Sequence, residues 1–414
     1  MELSRREFSK RGLLTMSSAM VVPAFFQRTA QAVETASSDN MLVLIQLAGG
    51  NDGLNTVIPY TDPLYYQNRP TLGQPREDVL DLNGQLGLHP QLTGMKTLFD
   101  ENIVKVVQAL GYPNPNRSHF RSTDIWTTGN PKHPEGTGWL GRYFDGQDNT
   151  KHPFPSMALG GSGQKALKGT LTGAPTFQNI NSFRLFPEKG MGMKRDADVT
   201  VQREKDVGAF KALHRMDGGH FAQADFLKDA SMKAFVSSEN LQKMVGRYNT
   251  PVNYPNNGLA NQLKLVGKLI ASGINTRAFH VAIGGFDTHS NQARGHAARM
   301  NQIGGSLVAF MKDLRSMKRA EKVVIMTYSE FGRRVKENGS RGTDHGAAAP
   351  LFVIGEKVKG GILGEHPSLA DLRSGDLKYK IDFRTVYTTM VEQWLGGKTD
   401  EIFHQKFEPA SIFA

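Results

Sequence analysis

The 414-residue chain predicts an α/β protein, a three-layer α/β/α sandwich around a largely parallel central sheet with an inserted cap region. Runs that are apolar at nearly every position recur at 41–47, 103–110, 277–283, 322–328 and 351–354. A strand apolar on both faces is covered by helices on both faces, which is the condition of a parallel sheet. Helical patterns lie between these runs: Leu92, Met95, Leu98 and Phe99 share one face of 91–99, Leu263, Val266 and Ile270 one face of 259–271, and Leu307, Phe310, Met311 and Leu314 one face of 305–317. The polar clusters follow the strands, and in open α/β sheets that edge is where ligands bind.

Taken in order, the first 32 residues are expected to be a leader outside the fold. SRREFSK at 4–10, with adjacent Arg5 and Arg6, precedes a moderately apolar run at 12–26 and a small-x-small cleavage site at Ala30-Gln31-Ala32. That is the pattern of a twin-arginine signal peptide, read by the twin-arginine export machinery, and it places the folded protein in the periplasm. Ser9 stands where a large apolar residue is usual. The apolar run contains Thr15, Ser17, Ser18 and Pro23 and falls short of the roughly twenty apolar residues that span a bilayer, so no transmembrane anchor is expected. Residues 33–414 then form one domain, with 160–250 as a cap or insertion because that stretch is rich in Gly, Lys and Met and lacks strand-like runs.

The chain has no cysteine, which suits a periplasmic protein without disulfides and excludes thiolate metal sites and a cysteine nucleophile. Its net charge of +11 is carried partly by the leader. No block of Lys and Arg interleaved with aromatics stands out, so no nucleic-acid partner is expected.

GGFDTHSNQ at 284–292 places Asp287 and His289 two positions apart at the end of a strand. By itself this reads as a turn, or as two donors converging on one ion. Asp52 in AGGNDGLN, Glu330 in TYSEFGRR and the pair Asp344-His345 in GTDHGAAAP fall on the same predicted edge. Each has a local reading as well: Asp52 as a turn residue, Glu330 as the partner of Arg333 or Arg334, and His345 as a loop residue bonded to backbone. Together these oxygen donors and imidazoles suit one or two divalent ions, Zn, Mn, Mg or Ca.

The stretches LVLIQLAGGNDGLNTVIPY, NRSHFRSTDIWTTG, GGFDTHSNQ, TYSEFGRR, GTDHGAAAPLFVIG and DFRTVYTTMVEQWLG resemble an uncharacterised family of twin-arginine-exported bacterial proteins in the alkaline phosphatase and sulfatase superfamily. That resemblance implies an alkaline-phosphatase-like fold. It also implies a metal-dependent hydrolase of phosphate or sulfate esters acting on a small anionic ester substrate. Position by position, it makes Asp52, Asp287, His289, Glu330 and His345 the metal ligands and Ser118 the nucleophile. Arg117, Arg121 or Arg333 would hold the non-bridging oxygens, and His119 would orient the serine or meet the leaving group. Departures from the superfamily pattern are the two-residue spacing of Asp287 and His289 and the missing histidine beside Glu330. They favour a second expectation, a catalytically degenerate member that binds another envelope protein. Ser118 also has a structural expectation, as the residue capping the following helix through its side chain.

Overall fold

The structure is a computed structural model that describes residues 39–148, 154–160, 164–177 and 242–414. The expected leader and most of the expected cap lie outside the described residues. The chain forms β1 (Met41–Leu47), then a small antiparallel sheet of β2 (Val57–Ile58), β3 (Leu80–Asp81) and β4 (Gly87–Leu88). There follow β5 (Val104–Gly111), β6 (Ser156–Leu159), β7 (Thr176–Phe177), β8 (Ala278–Ile283), β9 (Val323–Tyr328), β10 (Ala349–Ile354) and β11 (Gly361–Leu363). The hairpin of β12 (Leu372–Arg373) and β13 (Asp376–Leu377) comes next, and then β14 (Ile381–Asp382). The helices used below are α1 (Pro63–Asn68), α2 (Thr93–Asp100), α3 (His119–Thr128), α4 (Trp139–Asp145), α5 (Gly258–Ala271), α6 (Gln292–Ser316) and α7 (Phe383–Thr389).

The main sheet has the order β11-β5-β10-β9-β1-β8-β6-β7, with β14 also paired to β5. Strands β9, β1, β8, β6 and β7 are mutually parallel. β10 is antiparallel to both of its neighbours, β9 and β5, and alone runs against the rest. β7 lies within the stretch expected to be a cap, yet it pairs in parallel with β6 and extends the sheet.

Side chains of β1 alternate between two cores, as the two-residue period of a strand requires. Met41, Val43, Ile45 and Leu47 join the core against α2, α5 and α6, which contribute Met95, Leu263, Val266, Leu307 and Phe310. Leu42 and Leu44 face the opposite core, built with Ile125 and Trp126 of α3, Trp139 and Tyr143 of α4, and Phe383 and Tyr387 of α7. Helices therefore cover both faces, giving an α/β/α sandwich with a largely parallel sheet. Each fully buried aliphatic side chain here contributes about 1.5–3 kcal/mol, and Leu263→Ala should cost about 2–5 kcal/mol through the cavity it leaves.

The reversal of β10 puts its N-terminal end beside the C-terminal ends of β1, β5, β8 and β9. The loops after those four strands and the loop before β10 consequently meet at one edge.

Candidate metal centre

Close backbone approach begins the site. Gly49 and Gly50 follow β1 with φ of 119° and 76°, a region that glycine enters without strain. A Cβ on Gly49 would fall 2.4 Å from the Asp287 amide nitrogen, and one on Gly50 would fall 2.2 Å from the Phe331 ring. The gap they leave is bound together by Arg333, whose side chain is fully buried. Its Nε donates to the Gly50 carbonyl at 2.7 Å, its Nη1 to Thr343 at 2.8 Å, and its Nη2 to Gly49, to Phe286 at 2.9 Å and to Asp287 Oδ1 at 2.8 Å. One guanidinium thus joins three of the loops.

Three histidines face Asp287. His289 Nε2 lies 3.1 Å from Asp287 Oδ1 and 2.9 Å from His345 Nε2, and His345 Nε2 lies 3.3 Å from the same oxygen. His119 Nε2 lies 3.4 Å from Asp287 Oδ2, and donor atoms of His119, Asp287 and His345 all fall within 4.8 Å of one another. The opposite nitrogen of each ring is tied down. His119 Nδ1 donates to Glu330 at 2.8 Å, His289 Nδ1 to Asp344 at 3.1 Å, and His345 Nδ1 to the Arg117 carbonyl at 2.7 Å. A carbonyl or carboxylate oxygen only accepts, so each neutral ring carries its proton on Nδ1 and presents a lone pair at Nε2. Two lone pairs facing each other at 2.9 Å repel unless a proton or a cation lies between them.

The surroundings set the charges. Burial raises the Asp287 carboxyl, but hydrogen bonding and proximity to Arg333 outweigh it and hold the group at about 2. The hydrogen bond to Glu330 raises His119, so a proton there must leave before the ring can ligate. Burial lowers His345, which keeps that ring neutral.

These donors fit a divalent cation. Zinc bonded at 2.0–2.1 Å in a tetrahedron has ligand-to-ligand edges of about 3.3 Å. The three imidazole nitrogens lie 3.1–3.4 Å from an Asp287 oxygen, and the tightest group of donors, His119, Asp287 and His345, falls within 4.8 Å, with His289 joining it through Asp287 and His345. The carboxylate or carbonyl behind each histidine is the outer support that fixes the tautomer and orientation of a metal-bound imidazole.

Several residues expected at this site sit otherwise. Asp52 is buried, and both its oxygens are taken: Arg69 pairs with it through Nη1 at 2.6 Å and Nη2 at 3.0 Å, and Gln292 Nε2 donates to Oδ2. Burial pushes the Asp52 carboxyl up, but Arg69 more than offsets this and holds it below the usual carboxylate range. Glu330 is buried behind His119, with Oε1 accepting from that ring and from the Gly49 amide at 2.9 Å, so it supports a donor and is not turned into the group. His119 is held by Glu330 at Nδ1 and faces Asp287 Oδ2 at 3.4 Å through Nε2, so its ring is turned toward the carboxylates. Arg117 turns Nε and Nη2 onto Asp376 Oδ2. Ser118 heads α3 at the N-cap position without a side-chain capping bond, so the capping expectation is corrected; its backbone amide donates to Asn116 Oδ1 at 2.8 Å. Sequence reasoning gave no signal for Arg69 or Gln292. The pairing of His119 with Asp287 could have been anticipated from its position at the head of α3, directly after the loop that follows β5.

A largely parallel sheet with three imidazoles and a carboxylate gathered at one edge defines an α/β protein with a candidate metal centre. The chain belongs to the family described as protein of unknown function (DUF1501), whose model matches residues 104–404. No curated protein matches it. Among solved structures it is similar to a sulfatase from Pseudoalteromonas sp., with 10% identity and a TM-score of 0.38 over 94% of this chain and 74% of that one. It is also similar to the C-terminal periplasmic domain of EcEptC from Escherichia coli, with 10% identity and a TM-score of 0.36 over 89% and 85%. A protein in the alkaline phosphatase superfamily from Vibrio parahaemolyticus gives 9% identity and a TM-score of 0.30 over 83% and 71%. No helix among the described residues is long and apolar enough to cross a membrane.

Proposed function

We propose that the protein is an exported hydrolase of phosphate or sulfate esters that works with one divalent cation, zinc fitting best, held by His119, Asp287, His289 and His345. The observation that carries this is the arrangement of the three histidines: each has Nδ1 tied to Glu330, Asp344 or the Arg117 carbonyl and Nε2 turned toward Asp287. The ester class comes from the sequence motifs shared with the superfamily that the chain resembles.

When bound, the cation would polarise a non-bridging oxygen of the ester and stabilise the charge that develops there. Ser118 is exposed beside His119 and carries the nucleophile. Its oxygen loses its proton to solvent and forms a bond to phosphorus or sulfur as the bond to the alcohol oxygen breaks. The departing alcohol takes up a proton from solvent, and water later splits the serine ester, restoring the hydroxyl and releasing phosphate or sulfate. Glu330 and Asp344 hold the imidazoles. Arg117, fixed on Asp376 through Nε and Nη2, keeps Nη1 for an anionic oxygen. The test is Ser118→Ala assayed with aryl phosphate and aryl sulfate esters. Turnover by the parent protein and its loss in the variant, with melting and zinc binding unchanged, is the expected result. Turnover retained by the variant would contradict the role of Ser118.

One observation favours a second reading, a metal-holding envelope protein that binds a partner without catalysis: Arg69 and Gln292 occupy Asp52, and His119 and Gly49 occupy Glu330, which removes the two carboxylates expected to hold a second ion. Absence of turnover in a zinc-loaded parent protein would support it. Either reading has the chain reach the periplasm by the twin-arginine route. Exchange of both Arg5 and Arg6 for lysine is then expected to leave an uncleaved cytoplasmic form, and continued export would contradict the route.

A further inference from the structure

We infer that Gln292 is a positioning residue that sets the two ligand-bearing loops in register, an inference that rests on the metal-centre reading above. Gln292 begins α6 and is 1% exposed. Its Oε1 accepts from Thr288 Oγ1 at 2.9 Å and from Thr343 Oγ1 at 2.6 Å, while its Nε2 donates to Asp52 Oδ2. Thr288 lies between Asp287 and His289, and Thr343 immediately precedes Asp344 and His345. The loops are also joined directly, since the Thr343 amide donates to the Thr288 carbonyl at 3.0 Å. One buried side-chain amide therefore spans the segments that carry three of the four donors and anchors both to the Asp52–Arg69 pair.

Chemistry fixes the orientation of that amide. A carboxylate accepts only, so Nε2 must face Asp52, which leaves Oε1 to take both hydroxyl protons. Gln292→Glu keeps the size and the hydroxyl contacts but sets two buried carboxylates against each other. The loops are then expected to part, and the Nε2 atoms of His289 and His345 to lose their common focus on Asp287. Outer supports of this kind typically change metal affinity by about 10–100-fold when altered.

The test titrates zinc into metal-free full-length protein by calorimetry or chelator competition, alongside melting of the same metal-free samples. Gln292→Glu should weaken zinc binding by at least 10-fold. Combining it with Asp52→Asn restores a donor facing an acceptor and should bring affinity back to within about 3-fold of the parent, a rescue that a merely structural glutamine would not produce. If Gln292→Glu does not melt cooperatively, Thr288→Val with Thr343→Val breaks the same link from the other side without adding charge and should weaken zinc comparably. Parent-like affinity in a folded Gln292→Glu protein, or in the folded valine pair, would overturn the inference, as would a double variant no better than the single. A parent protein that binds no zinc would instead overturn the metal-centre reading, and this proposal with it.

Discussion

Asp52→Asn, measured in metal-free protein, separates a ligand from a structural ion pair. A carboxylate waiting for a cation contributes little to the stability of the empty site, and its removal relieves repulsion among neighbouring donors. Asp52 is not such a group. Its side chain is 1% exposed, that of Arg69 is 0% exposed, and Arg69 also donates to the Val335 carbonyl at 2.6 Å and the Arg334 carbonyl at 2.9 Å. Asparagine would leave the buried guanidinium without its counter-charge and would turn an NH2 toward either Arg69 or Gln292 Nε2, where a donor already stands. Breaking a buried pair from one side costs about 3–5 kcal/mol. With an unfolding entropy of about 2.1 cal/mol/K per residue, a chain of 414 residues loses roughly 3–6 °C in melting temperature, readable by calorimetry in the presence of chelator. A metal-free variant that melts with the parent would refute the structural role and return Asp52 to the ligands.

Burial depresses His280 to about 4, below the ordinary value near 6.5, so the unfolded chain binds its proton first. Its contribution is intact above pH 6.5 and is lost as pH falls toward 4. On going from pH 8 to pH 5, His280→Gln should lose about 2 kcal/mol less stability than the parent; identical pH profiles in denaturant titrations would contradict this. Gly50→Ala meets both a positive φ and the Phe331 ring at 2.2 Å, and it should abolish soluble, cooperatively melting protein. A variant as stable as the parent would show that the β1 turn is not held as described.

Strands could be read from the sequence because their burial is two-sided. The runs at 41–47, 103–110, 277–283, 322–328 and 351–354 correspond to β1, β5, β8, β9 and β10, since every residue of β1, β5 and β9 is buried. Direction could not be read, because an apolar run looks the same either way, and β10 runs against its neighbours. α6 begins at Gln292, well before the expected 305, because its first turns bury Gln292 and His296, polar residues that break the apolar period. The site was legible as a set of residue types at one edge. Telling ligands from supports was not, because Asp52, Asp287 and Glu330 are chemically alike. What distinguishes them is the group each meets across the fold: Arg69 for Asp52, His119 and Gly49 for Glu330, and three imidazoles for Asp287.

Metal content per folded chain tests the central claim most directly. Protein loaded with zinc, freed of excess and analysed by mass spectrometry should carry one ion per chain. Asp287→Ala and His345→Ala should carry none while still melting cooperatively, since Asp287 is half-exposed and neither side chain belongs to the core. No zinc on the parent, two ions per chain, or one ion retained by both variants would contradict a single centre built on His119, Asp287, His289 and His345.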